Sequence, residues 1–93
     1  MHRVDWTIQA LADLDRLEDF LFYKNALAAS RAVTTLVAAT DQLASFPELG
    51  RPAPEGNREL IVKFSGSGYF VLYKAEDDGV RILRVRHMRE DEY

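Results

Sequence analysis

The sequence predicts an α+β domain of order β-α-α-β-β-β, with a helical hairpin packed on a twisted antiparallel sheet. Three observations carry that reading. From residue 58 onward, apolar and polar residues alternate at period two in three runs separated by turn residues. Before residue 47, apolar residues recur at helical spacing over two stretches. Between these regimes, residues 47–56 (PELGRPAPEG) contain all 3 prolines of the chain and form a loop.

The three strand runs cover residues 58–64, 69–74 and 80–87, and all are rich in β-branched and aromatic residues. In the first, Leu60, Val62 and Phe64 oppose Glu59, Ile61 and Lys63. In the second, Tyr69, Val71 and Tyr73 oppose Phe70, Leu72 and Lys74. In the third, Leu83 and Val85 oppose Ile82, Arg84 and Arg86. The sheet therefore has one dry face and one mixed, basic face. The breaks, Ser65-Gly66-Ser67-Gly68 and Glu76-Asp77-Asp78-Gly79, carry hairpin chemistry.

At the other end, residues 3–6 alternate Val4 and Trp6 against Arg3 and Asp5, a short strand expected to pair where the meander leaves an edge free. Thr7 suits a helix N-cap, and Ile8, Leu11, Leu14 and Leu21 set a helix over about residues 8–24. Asn25 serves either as the cap of a second helix or as its connecting turn. Ala29, Ala32, Val33, Leu36, Val37, Thr40 and Leu43 then give a helix over about 27–46 that Pro47 ends. So short a connection makes the helices antiparallel. Neither the hairpin nor the sheet buries its apolar side alone, so the expected core sets Leu11, Leu14, Leu36 and Leu43 against Leu60, Val62, Leu83 and Val85 or their opposite-face neighbours.

At 93 residues there is room for one domain, 1–93. A hydrophobic fraction of 47% and a charged fraction of 29% are those of an ordinary soluble globule. The count of 0 cysteines leaves no disulfide framework or thiolate chemistry and suits a reducing compartment. The start MHRVDW lacks a signal-peptide core, and no uncharged apolar run approaches the ~20 residues a membrane span needs. The expected location is the cytoplasm. A net charge of −3 argues against bulk nucleic-acid binding, yet residues 79–89 hold Arg81, Arg84, Arg86 and Arg89 without an acid. A local basic surface on a mildly acidic protein suggests one specific acidic partner.

No metal or phosphate-loop signature is present, and no cofactor is expected. Ser65-Gly66-Ser67-Gly68 joins two strands and opens no helix. His2 and His87 are the 2 histidines, too few for a metal set. What remains is Arg81, Arg84, Arg86, His87 and Arg89, with Lys63 on a neighbouring strand. Arg84 and Arg86, two residues apart, would stand side by side and grip carboxylates or phosphates. The competing reading pairs them with acids across the sheet, Glu59 among them.

Several strings together resemble the ParE branch of the ParE/RelE toxin superfamily of type II toxin–antitoxin (plasmid stabilisation) systems. They are Val4-Asp5-Trp6-Thr7 with Ala10, Asp13 and Leu14; Pro47-Glu48-Leu49-Gly50-Arg51; Arg58-Glu59-Leu60; Tyr69-Phe70-Val71-Leu72-Tyr73; and Ile82-Leu83-Arg84-Val85-Arg86-His87. The resemblance covers essentially the whole chain and implies the same fold. It also implies a cognate antitoxin that adds a strand or lays a helix in a groove, and DNA gyrase as the target, with no direct nucleic-acid contact and no membrane. Partner-binding residues under this reading are Arg81, Arg84, Arg86, His87 and Arg89, and none is catalytic. RelE-like relatives are instead ribosome-dependent endoribonucleases. That alternative would use Lys63, Arg84, Arg86, His87 and Tyr93, with His87 or Tyr93 donating a proton and the arginines holding the phosphate. Net charge and the acids after Arg89 weigh against it.

Overall fold

The computed structural model describes residues 3–89. The elements are β1 (Arg3–Trp6), α1 (Ile8–Phe22), α2 (Ala26–Asp41), a 3-10 turn (Gln42–Ala44), β2 (Arg51–Pro52), β3 (Arg58–Phe64), β4 (Ser67–Glu76) and β5 (Gly79–His87), with a further 3-10 turn at Pro54–Gly56. The sheet has five strands in the order β1-β5-β4-β3-β2.

Each end of the helical hairpin is fixed locally. Thr7 accepts from the Ala10 N–H and starts α1, as expected, while its own hydroxyl donates to the Leu83 carbonyl at 3.0 Å. Asn25 is both connection and cap: its side chain accepts from the N–H groups of Leu27 and Ala28. The second helix tightens into its 3-10 turn before Pro47, so the regular α-helix ends earlier than the apolar spacing implies.

The sheet is mixed. β1 runs parallel to β5, Val4 beside Val80 and Trp6 beside Ile82, and it takes the edge that the C-terminal hairpins leave free. Gly79 is required there, because a Cβ at that position would collide with the Arg3 backbone. The β3–β4 hairpin turns on Ser65 and Gly66 alone, at φ 51° and 77°, the left-handed pair that a tight hairpin needs. Ser67 and Gly68, expected in the loop, are already strand. Residues 51–52, expected as loop, pair with β3 as Arg51 to Glu59 and Pro52 to Arg58.

The core forms where α1 and α2 cover one sheet face: Ala10, Leu17, Ala32, Leu36 and Leu43 meet Leu60, Val62, Tyr69, Val71, Tyr73, Val80, Ile82 and Val85. Of the expected members, Leu14 packs against it half-buried and two others do not join it. Leu11 is 49% exposed, because Ala10, Asp13 and Leu17 are the residues α1 turns inward. Leu83 is displaced by a β-bulge: Tyr73 faces Ile82 and Leu72 faces Arg84, which leaves Leu83 with no opposite residue. One extra residue shifts the alternation, so Ile82 and Val85 share the buried face although an unbroken strand would place them on opposite ones.

Candidate functional site

The bulge also distributes the C-terminal arginines. Asp13, on the inward face of α1, lies against β5 just beyond the end of β1. Its carboxylate accepts from Arg84 Nε at 2.8 Å and Nη2 at 3.0 Å, and from the Val85 N–H at 2.8 Å. Arg16 approaches the same group at 3.4 Å. Asp13 is only 4% exposed. Burial alone would raise its pKa, but the Arg84 and Val85 hydrogen bonds, the Arg84 charge and Arg16 outweigh that and hold the carboxyl below its ordinary range. The carboxylate thus supplies the acceptor a neighbouring strand would have given Val85.

The other basic residues disperse in turn. Arg81 pairs with Glu76 at 3.4 Å near the β4–β5 turn. Arg86 lies over the Phe70 ring on the open sheet face, 4.3 Å from its centroid. Arg51, which sequence reasoning used only as part of a family string, reaches the same ring at 5.9 Å and is paired with Glu59 at 2.6 Å. Lys63 and the 41%-exposed Ile61 share this open face. The signal for Arg51 was its place after Gly50. That glycine fits closely against Tyr73, whose hydroxyl accepts from the Gly50 N–H at 2.8 Å and donates to the Pro47 carbonyl at 2.7 Å. Arg58 adds a hydrogen bond to the Gly50 carbonyl at 2.7 Å.

His87 sits on the opposite, helix-covered side, its ring edge-on to Tyr69 at 5.2 Å. Its Nδ1 accepts from the Arg89 N–H at 3.1 Å, so the neutral ring carries its proton on Nε2. Here a cleft of about 610 Å³ opens between the helix hairpin and the sheet end. Its floor is Leu17, Phe20, Leu21, Phe64 and Tyr69, and Arg16, Lys24, His87 and Arg89 stand around it. Of the residues singled out from sequence, Lys63 and Arg86 thus reach the open face, His87 and Arg89 the cleft, Arg84 the Asp13 clamp and Arg81 a surface ion pair. Tyr93 lies outside the described residues, as does His2. Among the described residues no cluster of three or more acids, histidines or cysteines could hold a metal ion.

Residues 4–92 match the family model described as the ParE toxin of the type II toxin–antitoxin system parDE. The chain belongs to this family. Among curated relatives, Toxin RelE2 of Caulobacter vibrioides is 41% identical over 87 residues, spanning 94% of this chain and 96% of the relative. Among solved structures, a chain of the chromosomal ParDE toxin–antitoxin system from P. aeruginosa superposes with a TM-score of 0.81 at 25% identity, over 94% of this chain and 96% of that one. A chain of the RelBE2 toxin–antitoxin complex from Mycobacterium tuberculosis gives 0.67 at 25% identity, over 92% and 96%. The chain thus has the two-helix, five-stranded architecture of ParE/RelE-family toxins. Among the described residues, no helix is long and apolar enough to cross a membrane.

Proposed function

We propose that the protein is a ParE-like toxin that poisons DNA gyrase by binding it, without nuclease chemistry, and that a cognate antitoxin neutralises it. The observation that supports this reading is the separation of the basic residues. An endoribonuclease needs a proton donor and phosphate-holding cations within reach of one scissile bond. Arg84 is instead engaged with a buried carboxylate, and Arg86 and His87 face opposite sides of the sheet. The antitoxin is expected in the cleft, where an apolar floor and the cations Arg16, Lys24 and Arg89 fit a segment with apolar side chains flanked by acids. The partner is sought by tagging the chain and co-expressing the neighbouring small reading frame; Phe20→Ala should weaken its capture. The relatives named RelE favour one second reading, ribosome-dependent mRNA cleavage from the open face that carries Lys63 and Arg86.

Induction of the chain without its neighbour separates the two readings. Gyrase-linked DNA breaks with intact mRNA are expected. Codon-positioned mRNA cuts abolished by Arg86→Ala or Lys63→Ala would overturn the gyrase reading. Arg86→Ala is the informative single variant on the open face, because Arg84→Ala also removes the Asp13 clamp.

A further inference from the structure

The outer edge of β3 is covered by β2 only at Arg58 and Glu59. Ala53 N–H donates to the Asn57 carbonyl at 2.8 Å, and Pro52 has no N–H to offer Arg58. Asn57 and Glu59 therefore direct their main-chain groups outward, and by alternation so do Ile61 and Lys63. Beyond β2 those outward groups meet no strand among the described residues, and the Ser65–Gly66 turn then carries the chain away towards β4. The side chains along residues 60–64 alternate between the core-facing Leu60, Val62 and Phe64 and the exposed Ile61 and Lys63. A groove of about 410 Å³ borders this edge, lined in part by Ala39, Gln42, Leu60 and Ile61.

We infer that this edge pairs with the same edge of a second copy, antiparallel about a two-fold axis at Val62. In that register Ile61 faces the partner's Lys63 and Lys63 faces the partner's Ile61, as two hydrogen-bonded pairs that use the outward groups of both chains. Leu60 faces the partner's Phe64, and Val62 faces its own mate, so the apolar layers continue across the dyad. Like charges are kept apart: each ammonium lies against an isoleucine, not against the other lysine. The fit is also limited at both ends, because each copy's hairpin turn leaves the pairing direction where the other's β2 begins. The result is one continuous sheet across two chains, with the cleft around His87 and Arg89 left to a different partner.

Sedimentation equilibrium of the purified chain should give twice the 10.6 kDa chain mass at high concentration. Ile61→Lys sets lysine against the partner's Lys63 in both pairs and should shift the mass to that of the monomer. Ile61→Glu removes the same exposed side chain but sets an acid against that lysine and should keep the dimer. Register is read separately, because the chain has 0 cysteines. Facing residues lie about 5.5 Å apart at Cα, within disulfide range, whereas Ile61 and its mate lie on a diagonal beyond about 7 Å. An oxidised mixture of Ile61→Cys and Lys63→Cys chains should therefore cross-link, and either variant alone should not. A wild-type monomer at all concentrations, in which Lys63 keeps the edge unpaired, would overturn the inference. So would equal loss of dimer in Ile61→Lys and Ile61→Glu, or cross-linking as extensive in a single variant as in the mixture. None of these outcomes depends on the toxin's target.

Discussion

Replacing Asp13 by alanine tests the clamp that ties α1 to β5. The substitution leaves the Val85 N–H buried without its acceptor, at a cost of about 1–3 kcal/mol. Arg84 also loses its partner, but its side chain is 36% exposed and water reaches it, so this adds no more than ~1 kcal/mol. Alanine returns roughly 0.5 kcal/mol as the better helix former. The net expectation is a loss of about 0.5–3.5 kcal/mol, centred at ~2 kcal/mol, which for a domain of this size lowers Tm by roughly 8–16 °C at the midpoint. Asp13→Asn keeps one oxygen for Val85 but turns amide donors towards Arg84, and should lose about 1–2 kcal/mol. Urea denaturation at constant m-value measures both. The pH dependence has a definite sign. The folded carboxyl is held below its ordinary value, so its stabilisation is complete above the unfolded value of about pH 4 and lost as pH falls through the lower folded one. The gap between wild type and Asp13→Asn should therefore be constant from pH 7 to 5 and narrow below about pH 4. A cost for Asp13→Ala within ~0.5 kcal/mol, the range of ordinary surface changes, would refute the assignment. So would a gap that stays constant through the acid range.

Two further outcomes follow from the packing. Leu36→Ala, at a site 1% exposed, should cost on the order of 2–5 kcal/mol. Leu11→Ala should cost no more than ~0.5 kcal/mol, since Leu11 lies on the outer side of α1; similar values for the two would mean that α1 is rotated from its described orientation. Tyr73→Phe orphans the Gly50 N–H and frees the Pro47 carbonyl. It should cost about 1–3 kcal/mol and raise the rate of limited proteolysis within residues 47–56; unchanged cleavage would show that the loop is held by other contacts.

The sequence by itself determined the order of the two helices and the four longer strands, the helix cap at Thr7 and which residues of β3 and β4 share a face, because each depends on spacing between near neighbours. Which of those faces is buried, and that Asn25 caps α2, only the fold decided. Helical and strand periods are short-range, and a cap reaches only two or three residues along the chain. It also determined that an early strand would take a free edge of the meander. The parallel pairing of β1 with β5, and the addition of β2 to β3, were decided only when distant segments met. The bulge mattered most. Nothing in Ile82-Leu83-Arg84 marks an extra residue, yet pairing with β4 on one side and with β1 and Asp13 on the other displaces Leu83 and changes every facing beyond it. That is why Asp13, by spacing merely one acid near the start of a helix, became the buried acceptor for Arg84 and Val85. Basic residues adjacent in sequence were likewise sent to two faces and an edge, because strand geometry separates neighbours and only tertiary contacts choose their partners.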